Sequence, residues 1–116
     1  MTTPSSTPPP RELLDQVLEP LLDDFAASFE RGFVLLDACP ESVLPLERQQ
    51  RLLARLEEAR RELMAARALR AAAPAPMALE MTTLRPWHEL VLEVWSLSAA
   101  LRAAGIQPPA GAGNAP

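Results

Sequence analysis

A chain of 116 residues makes one domain at most, and its net charge of −4 is the wrong sign for a general nucleic-acid binder. A single cysteine excludes a disulfide framework and a paired-cysteine metal site. No run of about 18 apolar residues is present to cross a membrane, and no charged-then-apolar opening marks secretion, so the expected compartment is the cytoplasm.

Residues 1–10 hold Pro4, Pro8, Pro9 and Pro10 with Ser and Thr, and are expected to be a disordered tail. The first helix is expected over about 11–38. Leu14, Leu18, Leu21, Phe25, Phe29, Gly32 and Leu36 recur at steps of three and four and form one apolar stripe. Glu12, Glu19, Asp23 and Glu30 fall on the other side, which reads as a solvated acidic face. Pro20 removes one backbone hydrogen bond inside this helix and predicts a kink around the core, with a true break as the alternative. Gly32 sits in the stripe, where a missing side chain lets another helix come close. Cys39-Pro40 to Pro45 reads as a turn: Pro40 stops the first helix and Pro45 opens the second at its first position.

The second helix is expected over about 45–73. Leu52, Leu56, Ala59, Leu63 and Ala66 form a heptad-like seam. Glu47 with Arg51 and Glu57 with Arg61 are spaced as i,i+4 pairs. Arg60 and Arg67 flank the seam, either snorkelling along the core edge or pairing with acids of the first helix. Residues 1–45 carry eight acids and two Arg, net −6; residues 46–73 carry four acids and seven Arg, net +3. Two segments of opposite charge in one small chain attract each other.

Residues 72–83, with Pro74 and Pro76, read as a linker in which Met77–Met81 can form one turn. The third helix is expected over about 86–104, opened by Pro86 and closed by Gly105. Trp87, Leu90, Val91, Val94, Leu97, Ser98 and Leu101 make its core stripe. His88, Leu92, Trp95 and Ala99 make a second strip along its flank. A helix apolar on two sides lies between neighbours or offers a surface to a partner. Trp87 reads mainly as core; Trp95 is divided between core edge and partner contact. Residues 106–116 are Pro, Gly and Ala with little to bury and are expected to be a second disordered tail.

One His and one Cys, 49 positions apart, supply neither a metal site nor a nucleophile with its base. The four glycines form no phosphate-binding loop. No catalytic residue, metal or cofactor is expected, and the chain does not read as an enzyme.

Three stretches carry a resemblance: Glu19-Pro20-Leu21-Leu22-Asp23-Asp24-Phe25 with Ser28-Phe29-Glu30-Arg31-Gly32; Leu52 to Leu56 through Glu62 to Ala66; and Leu84, Pro86-Trp87-His88-Glu89-Leu90-Val91 with Trp95. Over about residues 12–103 the chain resembles a small family of cyanobacterial proteins of unknown function with a Pro-Trp-His signature. The resemblance implies a cytosolic helical protein of a photosynthetic prokaryote, with a tie to photosynthetic or carbon-fixation machinery. It implies no activity.

The expected fold is all-α: a three-helix bundle, or a long helical hairpin with a third packed helix, over residues 11–105. The expected function is protein–protein interaction, as an adaptor, assembly factor or regulatory subunit, with Arg85, His88, Leu92 and Trp95 at the contact. Self-association is one form of this. The alternative is peripheral binding of anionic lipid or RNA through Arg51, Arg55, Arg60, Arg67 and Arg70. Against it, Glu57, Glu58 and Glu62 interrupt that basic face.

Overall fold

Three α-helices follow one another, α1 (Pro10–Asp37), α2 (Leu46–Ala72) and α3 (Met81–Ala103). The computed structural model describes the backbone over residues 10–72 and 81–109, and side chains over 16–72 and 84–109. The expected all-α fold is the one observed. Most of the two expected tails, and all but the last residue of the turn expected at Met77–Met81, lie outside the described residues.

α1 and α2 run antiparallel: Glu19 meets Arg70, Asp23 meets Arg67 and Glu30 meets Arg60. α1 and α3 run parallel: Phe25 meets Trp87, and Val94 lies opposite Gly32. The result is an up-down-up bundle in which α1 packs on both other helices while α2 and α3 scarcely touch.

Being central, α1 needs a wider apolar face than a single stripe supplies. Leu22 and Leu35 are buried beside Leu18, Phe25 and Phe29, with Leu21, Phe33 and Leu36 partly buried around them. The expected stripe named Leu21 and Leu36 and missed these two deeper neighbours. Leu52, Leu56, Ala59 and Leu63 of α2 and Trp87, Leu90, Val94, Leu97 and Leu101 of α3 fill the remainder as their spacing predicts. Phe25, Phe29 and Trp87 form an aromatic cluster, with Trp87 edge-on to Phe25 at 5.4 Å and to Phe29 at 6.3 Å between centroids. Such pairs add about 0.5–1.5 kcal/mol each beyond their buried area.

Gly32 is buried where all three helices converge. A Cβ there would stand 2.8 Å from a Leu56 methyl and 3.0 Å from a Val94 methyl, so glycine sets how closely α2 and α3 approach α1. α1 is continuous through Pro20, whose ring is exposed, so the alternative of a break there does not hold.

Several expectations are corrected. Glu19, Asp23 and Glu30 face solvent as expected, but they also line the seam with α2 and pair with its arginines. Helical geometry alone placed them far from the stripe, but long Arg side chains reach across. Pro45 precedes α2; its carbonyl accepts from the Gln49 N–H, making it the cap residue before Leu46. α3 begins at Met81, not Pro86. Proline at its sixth position forfeits only the bond to the Thr82 carbonyl, and the earlier start lays Leu84 against the core.

At the far end Gly105 adopts φ +76° and ends α3 as expected. Its N–H donates to the Arg102 carbonyl and the Ile106 N–H to the Leu101 carbonyl, the two bonds of a Schellman motif. Ile106 thereby packs on the core, and Pro109 accepts a bond from Arg31 at 2.8 Å. Residues 106–109 therefore belong with the domain and not with the expected tail from 106; an apolar residue just after the cap anchors them.

The α1–α2 turn is held by a residue the sequence did not flag. The Gln49 side-chain amide donates to the carbonyls of Cys39 at 3.1 Å and Leu44 at 2.9 Å. Cys39 is half-buried, and burial pushes its thiol pKa up, against a smaller lowering by the Leu44 backbone.

Candidate protein-interaction surface

α3 carries two faces of opposite character because its sequence is apolar at two phases of the helix. The inner face is core. Trp87 is 1% exposed, and its indole N–H donates to a Glu62 carboxylate oxygen at 2.9 Å, so its one polar atom is satisfied. The division of roles between the two tryptophans is thus resolved for Trp87: it is a core residue.

The outer face is exposed. Trp95 is 63% and Leu92 58% exposed, and one turn separates them. His88 and Ala99 extend the same strip in either direction, both exposed, and Arg85 stands beyond His88. The His88 ring leans edge-on against Phe25, 5.5 Å between centroids, which fixes this end of the strip to α1. The four expected contact residues, Arg85, His88, Leu92 and Trp95, therefore do share one solvent-facing strip of α3. Trp95 and Leu92 thus form a pair of neighbouring large apolar side chains that face solvent.

The five arginines of the alternative reading are differently placed. Arg51 pairs with Glu47 at 2.8 Å, Arg55 with Glu93 at 2.5 Å and Arg60 with Glu30 at 3.1 Å. Arg67 pairs with Asp23 and stands 4.0 Å from Glu19; Arg70 pairs with Glu19. Arg60 also stacks its guanidinium 4.4 Å above the Phe33 ring. Of the two readings of Arg60 and Arg67, pairing with α1 acids is the one observed. The other expected i,i+4 pair, Glu57 with Arg61, does not close. Each of the five arginines thus already has a carboxylate, which leaves little uncompensated positive charge on this face.

Between α2 and α3 runs an open groove of about 500 Å³, lined by Arg55, Glu58, Ala59, Glu62, Pro86, Trp87 and Leu90. Its apolar lining is Ala59, Pro86, Trp87 and Leu90, and its charged lining is Arg55, Glu58 and Glu62. Among the described residues no group of three or more His, Cys, Asp or Glu converges to hold a metal ion, and no helix is long and apolar enough to cross a membrane.

No curated protein and no solved structure matches this chain. A family model does, over residues 8–103, and its description is protein of unknown function, DUF2605. The chain belongs to that family, in agreement with the resemblance to a family of unknown function.

Proposed function

We propose that this member of the DUF2605 family is a protein-interaction module, an adaptor, assembly factor or regulatory subunit, that meets its partner through the outer strip of α3. Trp95 is the anchor, Leu92 its apolar neighbour, and His88 and Arg85 the polar margin. The observation that carries this reading is the 63% exposure of Trp95 on a helix whose other tryptophan is fully buried. Binding energy at protein interfaces concentrates in a few residues, with Trp and Arg prominent among them. The proposed setting is the cytoplasm, and no catalytic role is proposed. Binding of anionic lipid or RNA through α2 gains no support, since the arginines it requires are held by carboxylates.

The test is affinity capture from cells of the source organism with the native chain, Trp95→Ala and Leu92→Ala, each checked for helix content. One protein recovered by the native chain, lost with both folded variants and retained in raised salt is the expected result. Equal recovery by the variants overturns the assignment. Recovery of only nucleic acid or lipid that washes off in salt points instead to the arginines.

A further inference from the structure

We infer that the outer strip of α3 receives an acidic amphipathic helix of a partner protein, with apolar side chains at its middle and carboxylates near both ends. This rests on the reading of Trp95 as a contact surface and adds the chemistry of the partner.

The spacing comes first. Arg85, His88, Leu92, Trp95, Ala99 and Arg102 follow one another at steps of three, four, three, four and three. That is the spacing of a two-helix coiled-coil seam, here with no other described helix of the chain laid along its length. The apolar members are central, and an arginine closes each end. The two arginines are seventeen positions apart along the chain, about 25 Å at 1.5 Å per residue.

Charge comes second. The five arginines of the α2 alternative all have carboxylate partners. Those around the strip have none among the described residues. Arg85 makes no hydrogen bond or ion pair there. Arg102 donates to the Ser98 hydroxyl at 3.1 Å, and Arg31 of α1 to the Pro109 carbonyl at 2.8 Å. Arg31 adjoins Gly32, which Val94 faces, so it lies level with Trp95 along α3. The strip itself holds no acid: Glu93 lies off it and reaches Arg55 of α2, and Glu89 stands exposed at its edge, four residues after Arg85, without an ion pair to it. Among the described residues Arg48 and Arg61 also lack partners, but they stand on α2 among Glu47, Glu57 and Glu58.

Symmetry comes third, and it removes the second copy as the occupant. A two-fold contact puts a surface against itself. Parallel pairing sets Arg85 against Arg85 and Arg102 against Arg102. Antiparallel pairing centred on Leu92 and Trp95 sets Arg85 against Arg102, since each lies seven residues outside the pair. Both arrangements oppose like charges at both ends. A partner with Asp or Glu at those ends and Leu or Phe between them matches the strip throughout.

The probe is a displayed library of random 20-residue peptides, selected on the full chain, on Trp95→Ala and on the double variant Arg85→Glu/Arg102→Glu, with helix content verified for each. The native chain is expected to enrich acidic peptides with central Leu or Phe. A synthesised winner should bind roughly tenfold or more weakly to Trp95→Ala, in the range of an interface anchor. The double variant should select basic peptides instead. Peptides that need Trp95 but show no acidic bias, or no switch with the double variant, overturn the acidic partner and leave the contact surface standing. A dimer by sedimentation that Trp95→Ala dissolves also overturns it, in favour of a second copy. Enrichment indifferent to Trp95→Ala, or none at all, overturns both.

Discussion

The indole N–H of Trp87 and the carboxylate of Glu62, 2.9 Å apart, form one of the few ties between α3 and α2. Trp87 is buried while Glu62 reaches it from an exposed helix position along the groove rim. Glu62→Ala is expected to cost about 1 kcal/mol, the lower part of the range for an unsatisfied buried donor, because the open groove admits water. Glu62→Gln keeps an acceptor and should cost less. In the Trp87→Phe background the cost of Glu62→Ala should nearly vanish, which a double-mutant cycle by urea denaturation checks.

The two tryptophans should separate cleanly in stability. Trp87→Ala removes a fully buried ring from the aromatic cluster with Phe25 and Phe29 and is expected to cost about 3–5 kcal/mol. Trp95→Ala should shift the urea midpoint little, by at most about 0.5 kcal/mol, as for a surface substitution. A large loss from Trp95→Ala would remove the basis for treating it as a contact residue.

Gly32→Ala sets two effects against each other. Alanine favours the helix by about 0.5–1 kcal/mol. Its methyl would lie 2.8 Å from a methyl of the fully buried Leu56, which would have to shift, and overpacking of this kind costs about 1–3 kcal/mol. Net destabilisation near 1 kcal/mol is expected from thermal or chemical unfolding, and Gly32→Val should be worse. Pairing Gly32→Ala with Leu56→Ala should recover part of the loss.

The acid–arginine row along α1 and α2 is partly exposed, so each pair contributes only about 0.2–1 kcal/mol. Its larger role is register: a one-turn slip of α2 would misplace all three partners at once. Asp23→Arg should destabilise by about 1 kcal/mol, and adding Arg67→Asp should restore most of it. The restoration should shrink in high salt as screening takes hold. Unfolding curves at two ionic strengths decide the matter.

What the sequence revealed followed from local periodicity. Leu52, Leu56, Ala59 and Leu63 are buried as their spacing predicts, and Gly105 caps α3 because a positive φ suits glycine. The two faces of α3 are visible in the sequence as two phases of apolar residues, which place His88, Leu92 and Trp95 on one strip. Features that depend on which helix lies next to which were less accessible. From the sequence Glu62 is one of three acids that interrupt a basic face; its bond from Trp87 depends on α3 lying beside α2. Leu22 and Leu35 became core because α1 is flanked on both sides. The start of α3 at Met81 was hidden by Pro86, whose local preference yields to the packing of Leu84.

α1 acts as the spine of a book, with α2 and α3 as covers that share the spine but hardly each other. Residues far apart with no common partner contribute to stability almost independently. Most of α3 can therefore change its outward lettering without disturbing the hairpin of α1 and α2 that holds it. A lineage could retarget the strip around Trp95, altering charge at positions 85 and 102 or bulk at 92, while the charged row from Glu19 to Arg70 stays as it is.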